Sequence, residues 1–248
     1  MRPTLSLILL VSLLCAVRLQ AALDDIRHAQ SLLGSETWSR LIKVENRTPS
    51  LTYPRNTYAL VFEFNGILWF YAPGNGTQSL SLYSGRAGRD KEDLLPLLRE
   101  IEPGFVRFRE IQDQPYLPEP TRVLPNGCFL ESMAAARVRV ARGDRIEEAA
   151  ILLYYARWGG RVHGHAVFAY KTPGGVFVDD SVRTRSARIG GEWSREPLEL
   201  ARIYEPGWSN FLVRARFVPI HEAATTSLAS SAGGAEASQW ATEAARSM

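Results

Sequence analysis

The stretch L124-PNGCFLESMAAAR-V138 decides how this chain is read. Asn126-Gly127 breaks whatever precedes it. From Phe129 onward, Phe129, Met133, Ala136 and Val140 recur at spacings of four, three and four, which predicts a helix with one buried stripe. Asn126 is the expected N-cap, Glu131 lies in the first turn, and Gly143 stops the helix after Arg142. Cys128 therefore falls at the helix N-terminus. Unpaired N–H groups and the helix dipole favour an anion there, which favours the thiolate, the nucleophilic form of cysteine. The same N–H groups suit a developing oxyanion. The competing expectation is a buried, inert cysteine, since free cysteine is among the most buried residue types.

Cys128 has one possible partner in the chain, Cys15, and that residue lies in a segment expected to be removed. Residues 1–21, MRPTLSLILLVSLLCAVRLQA, carry Arg2 at the start and an apolar run from Leu5 to Ala16. Such a run has the length of a signal-peptide core and is too short to span a bilayer. Ala21 and Ala22 supply small residues for cleavage. A secreted or periplasmic protein without stable membrane insertion after signal removal is expected. Two alternatives are lipidation at Cys15, where bulky Leu14 stands before the cysteine, and a retained anchor.

The full chain of 248 residues has 29 basic and 26 acidic side chains. Without Arg2 and Arg18 the mature chain keeps 27 against 26, a net charge of +1. Near-neutrality makes no case for nucleic acid as a partner. With 46% hydrophobic and 22% charged residues the composition is that of a globular protein of one or two domains.

Upstream, Ile26, Leu32, Leu33, Trp38 and Leu41 predict one or two helices broken at Gly34. In YALVFEFNGILWFYA, Tyr58–Ala72, Asn65-Gly66 separates two strand-like runs, a hairpin signal because both residues tolerate positive φ. SLSLYSG adds a third strand, and DKEDLLPLLREI a helix with Pro96 near its start. This gives an N-terminal α+β domain over 22–113, whose aromatic residues are expected to be core. Asn46-Arg-Thr and Asn75-Gly-Thr match the glycosylation sequon, which matters only in a host that glycosylates. Four prolines, Pro115, Pro118, Pro120 and Pro125, form an extended connector. Residues 221–248, rich in Ala and Ser, are too poor in apolar surface to fold alone.

Downstream of the helix, three strands are expected, about Ala150–Arg157, Val162–Tyr170 and Gly175–Ser181. Turns are expected at Gly159-Gly160 and Thr172–Gly175. A continued helix over Arg145–Ala156 fits the same apolar run. His163 and His165 are two apart and share a face, while Asp179 and Asp180 point to opposite faces. One aspartate can meet a histidine across the antiparallel pair. Nucleophile, base and orienting carboxylate then occur in the order Cys, His, Asp. FLVRARFVPI alternates Phe211, Val213, Ala215 and Phe217, a half-buried strand finishing the sheet. EPGWSN before it reads as a loop, His28 and His221 as surface residues, and Arg183, Arg185 and Arg188 as solvated, with an acidic substrate as the alternative for the three arginines.

NGCFLESMAAARV followed by GHAVFAY and GVFVDDS resembles the papain-like superfamily, in particular bacterial transglutaminase-like cysteine peptidases and leader-peptide peptidases of bacteriocin exporters. The likeness covers about Leu124–Val182. It implies an α+β papain-like domain over 114–220, with a nucleophile helix on an antiparallel sheet. By the resemblance Cys128 is the nucleophile, His165 the base and Asp179 the orienting carboxylate, with Asp180 as the alternative. It implies no cofactor and no metal, and a peptide, protein or cell-wall peptide as substrate. Arg122 stands where papain-type enzymes place an oxyanion-hole glutamine, and Val167 where transglutaminase-like proteins carry tryptophan. Gln114 and Asn126 are the candidates to replace that donor. The expectation is an exported cysteine hydrolase or acyltransferase acting on peptide or isopeptide bonds. Two alternatives stand beside it: a non-catalytic protein on the same scaffold, and a metal-binding module at His163 and His165.

Overall fold

A computed structural model of the chain describes residues 20–34, 37–80, 91–112, 116 and 122–220. The expected signal segment up to residue 19, Gln114, the prolines of the connector other than Pro125, and the C-terminal tail lie outside the described residues. The fold is α+β, with two antiparallel five-stranded sheets in two compact units that divide between Asn126 and Gly127.

In the first unit, helix α1 covers 20–31. The sheet has the order β4-β3-β2-β1-β5, from β1 (Ser39–Asn46), β2 (Asn56–Phe64), β3 (Ile67–Ala72), β4 (Gly76–Leu80) and β5 (Phe105–Glu110). Helix α2 (Lys91–Ile101) packs Leu94 and Leu98 against Val44, Val61, Phe70 and Phe105. The Asn65-Gly66 turn forms as expected. Phe64 pairs with Ile67, and both turn residues have positive φ, 54° and 71°. Runs 59–62 and 68–72 are buried on both faces, so the aromatic residues there are core.

The expected second helix through Trp38 and Leu41 is instead strand β1. Ile42, Val44 and Asn46 are buried at alternate positions, with Lys43 and Glu45 only half-buried between them, which is the period of a strand rather than a helix. The third strand begins earlier than expected, at Gly76, and most of SLSLYSG lies outside the described residues. His28 is buried rather than on the surface, its ring edge-on to Tyr116. Asn46 of the first sequon is 1% exposed, its amide donating to the Tyr53 carbonyl at 2.9 Å, so it offers no glycosylation acceptor in the folded unit. Residues 122–126 belong to this unit, which is why the division comes later than Asp113. The Arg122 guanidinium donates to Asp25 at 3.0 Å. The Tyr71 hydroxyl donates to the Pro125 carbonyl at 2.9 Å.

The second unit has strand order β10-β6-β7-β8-β9, from β6 (Glu148–Trp158), β7 (Arg161–Thr172), β8 (Gly175–Asp180), β9 (Arg185–Gly190) and β10 (Leu212–Pro219). Strand β6 resolves the helix-or-strand ambiguity of its apolar run in favour of strand. Helix α3 (Cys128–Ala141) covers one face of the sheet and helix α4 (Pro197–Tyr204) the other. Alternation along β7 divides the two layers. Phe168 and Tyr170 pack with Ala136 of α3, whereas Val167 and Ala169 pack with Leu200, Ala201 and Tyr204 of α4.

Strand β9 and helix α4 are additions to the expected elements. The helix is short, but its Pro197 at the first turn and Arg202 in the last turn are ordinary boundary signals. In α3, Phe129, Met133 and Ala136 are buried, but Val140 is 41% exposed, because the last turn runs past the sheet. In β10 Ala215 and Phe217 pack on the core as expected, but a register shift between Leu212 and Arg214 changes the phase before it. Leu212 and Val218 are buried, and Phe211 and Val213 are exposed.

Candidate active site

Cys128 opens α3, capped by Gly127 with no side-chain hydrogen bond. Asn126 is not the cap. Its φ of 53° is left-handed, and its amide donates to the Pro73 carbonyl at 3.1 Å. That amide is therefore committed within the first unit, as the Arg122 guanidinium is to Asp25. The Ser132 hydroxyl donates to the Cys128 carbonyl at 2.7 Å, and the Ser181 hydroxyl to the Glu131 carbonyl at 3.4 Å. The second bond ties the loop after β8 to the first turn of the helix.

His165 projects from β7 on the α4 face. Its Nε2 lies 2.8 Å from Asp180 Oδ2, and Cys128 lies near enough to the imidazole to strengthen its hold on a proton. With Nε2 committed to the carboxylate, Nδ1 is the nitrogen left to meet the sulfur. A group from the α3 side reaches this ring because β8 pairs with β7 only over Phe168–Thr172. The edge of β7 beside His165 thus lies beyond the end of β8, and the start of α3 comes up alongside it.

The Asp180 side chain is fully buried. It accepts from the Tyr204 hydroxyl at 3.0 Å and from the Arg183 backbone N–H at 3.1 Å, in addition to His165. The Arg183 guanidinium pairs with Glu205, which accepts from the Tyr154 hydroxyl at 3.2 Å. The Tyr154 ring stands edge-on to the imidazole, centroids 5.6 Å apart. Burial opposes a charge on His165, but its bonds to Asp180 and Cys128 outweigh that penalty and raise it to about 9. Burial likewise opposes charge on Asp180. Its bonds to His165, the Arg183 N–H and Tyr204 outweigh it and hold the carboxyl below its usual range. Burial and the neighbouring carboxylate push Tyr204 up to about 12, which keeps its hydroxyl a donor.

Asp179 is a correction to the expected site. It lies on the opposite face, where it accepts from Arg139 Nε at 2.8 Å and from the Ser186 hydroxyl at 2.6 Å. The cause is register. The two-residue Pro173-Gly174 turn pairs Thr172 with Gly175 and hence Phe168 with Asp179, so Asp179 shares the α3 face with Phe168. Asp180 falls in phase with Val176 and Val178, beneath α4. The signal for this was in the sequence, in the length of the turn. Tyr154, Tyr204 and Glu205 were not anticipated, because α4 was not, and Arg183, expected to be solvated, is instead paired with Glu205.

His163 shares the face of His165 but is exposed and borders a separate cavity. Among the described residues no group of three His, Cys, Asp or Glu side chains is placed to hold a metal ion. No helix among them is long and apolar enough to cross a membrane. Compared with protein-family models, curated proteins and solved structures, the chain matches none.

Proposed function

We propose that the chain is an exported cysteine hydrolase or acyltransferase acting on peptide or isopeptide amide bonds, built on a papain-like plan. Cys128 is its nucleophile, His165 its general base and acid, and Asp180 its orienting carboxylate. One observation carries this reading: a single imidazole bonded through Nε2 to a buried carboxylate and close to a thiol at a helix N-terminus. A structural histidine needs neither that pairing nor that order.

The reaction begins as the Cys128 thiol gives its proton to His165. The sulfur attacks the amide carbonyl carbon, a C–S bond forms, and the C=O π pair moves to oxygen. N–H groups at the start of α3 face that oxyanion. As the tetrahedral adduct collapses, the C–N bond breaks and His165 gives its proton to the departing amine. Water or a second amine then attacks the thioester, His165 takes its proton, and the C–S bond breaks to restore the thiolate. Asp180 stays ionised and stabilises the imidazolium throughout. Peptides, protein tails and cell-wall peptide cross-links are the candidate substrates.

The test is alkylation by iodoacetamide, followed by intact mass. Wild-type Cys128 reacts at pH 6, where an ordinary thiol is largely protonated, and His165→Ala lowers that rate at least tenfold. A pH 6 rate no faster than that of free cysteine, and unchanged in His165→Ala, would sink the reading. The non-catalytic alternative draws on Arg122 and Asn126, whose polar groups are committed to Asp25 and the Pro73 carbonyl. It predicts the alkylation behaviour without turnover of any peptide amide.

A further inference from the structure

Beside the candidate triad, on the same face of the second sheet, is an aromatic cavity of about 250 Å³. It is lined by Ala156, Trp158, His163, Gly207, Trp208 and Phe211. Its walls come from three places. Ala156 and Trp158 end β6, His163 begins β7, and the rest lie in the segment between α4 and β10. The Gly159-Gly160 turn, with φ of 59° and 75°, closes the β6–β7 hairpin in two residues and pairs Trp158 with Arg161. The same register puts Ala156 opposite His163 and Tyr154 opposite His165. The cavity therefore begins one pleat repeat, about 7 Å, along the strand from the imidazole.

Two large apolar side chains stand in water at its mouth. Trp158 is 63% exposed and Phe211 44%, their rings stacked at 6.1 Å. The register shift in β10 is what turns Phe211 outward rather than into the core. Bulges next to sites commonly re-aim side chains in this way. The volume suits one side chain rather than a whole ligand, for which about 300–1,000 Å³ is usual. The aromatic lining does not favour a cation, because the Arg183 guanidinium already lies over the Trp208 ring at 5.8 Å. Arg157 and Arg161, either side of the hairpin end, add like charge.

We propose that this cavity is a substrate subsite that receives a bulky apolar side chain flanking the bond attacked by Cys128, with Trp158 and Phe211 as its clamp. The assignment rests on Cys128 being the nucleophile. It makes the substrate a peptide with an aromatic or large aliphatic residue near the bond, not a lysine-rich or glycine-only segment.

Two measurements test it. The first is titration with N-acetyl-phenylalaninamide, N-acetyl-lysinamide and N-acetyl-glycinamide, reading the indole N–H NMR signals of Trp158 and Trp208. The phenylalanine probe shifts both saturably, the other two do not, and Phe211→Ala removes the shift. This readout does not depend on a reactive thiol. The second compares alkylation of Cys128 by acetyl-Phe-Gly, acetyl-Lys-Gly and acetyl-Gly-Gly chloromethyl ketones, each rate divided by the iodoacetamide rate of the same variant. The phenylalanine reagent leads the glycine reagent at least tenfold in wild type, and the ratio falls to about one in Trp158→Ala/Phe211→Ala. Absence of the NMR shift, a lead for the lysine probe, or a ratio retained in the double variant overturns the subsite. If iodoacetamide still reacts at pH 6 in a His165-dependent way, the proposed nucleophile survives that loss.

Discussion

Asp179 and Asp180 are neighbours in sequence and serve opposite faces of one sheet. On the α3 face, Asp179 meets Arg139 and Ser186, and the Arg139 guanidinium also lies over the Tyr170 ring at 5.2 Å. That cluster fastens the far end of α3 to β8 and β9. On the α4 face, Asp180 is sealed from water and bonded to His165, Tyr204 and the Arg183 N–H. The chemistry of the two side chains is the same. One pleat step separates a carboxylate that braces a helix from one that holds an imidazolium, and the difference lies in burial and partners alone.

The sharpest way to break this contrast is Asp180→Ala. It leaves an imidazolium and a tyrosine hydroxyl without their buried acceptor. Breaking such a pair costs about 3–5 kcal/mol, to be read as a lower midpoint in urea unfolding. In the folded fraction, alkylation at pH 6 falls at least tenfold; the wild-type rate would remove Asp180 from the site.

The second test uses pH. His165 is raised in the folded state from 6.5 to about 9. The folded state therefore binds the proton more tightly, and that stabilisation is complete below about 6.5 and lost as pH rises through about 9. At about 1.4 kcal/mol per tenfold in affinity the loss is at most about 3.5 kcal/mol. Urea unfolding at pH 6, 7.5 and 9.5 measures it, and His165→Ala abolishes the slope. A flat profile in wild type would show that the pair does not form. Asp180 acts with the opposite sign: its carboxyl is lowered, so its contribution is present above the ordinary carboxylate range and fades as pH falls through the folded value.

The smallest effect is expected from Asp179→Ala. Arg139 keeps Asp144 at 3.1 Å and is partly exposed, so the loss is about 1–2 kcal/mol. Alkylation at pH 6 stays within about threefold of wild type. Equal effects of the two alanine variants on alkylation would erase the distinction between the faces.

Much of the fold was legible. The Asn65-Gly66 and Gly159-Gly160 turns, the helix after Gly127 and the three strands that follow it are local matters. Positive-φ residues and apolar periodicity specify such features within a few positions. The failures have local causes too. Trp38 and Leu41 fit a helical spacing with Leu33, while the alternation of β1 starts only at Ile42 and lasts three buried positions, too short to outweigh it. Ala215 and Phe217 face the core as the alternation implies, whereas Phe211 and Val213 do not, because one register shift changes the phase at the start of β10. Of the candidate site, the structure brings Cys128 near His165. Asn126 was drawn away by Pro73, and Asp179 gave its place to Asp180.

The sequence alone determined which side chains could do chemistry and which backbone turns would form, because turn dihedrals and helix starts depend on residues within reach of one another along the chain. Tertiary structure decided which carboxylate faces the imidazole, how the start of α3 reaches a ring on the other side of the sheet, and that α4 supplies Tyr204. Those depend on where β8 stops and what covers it, and such long-range contacts leave no local trace.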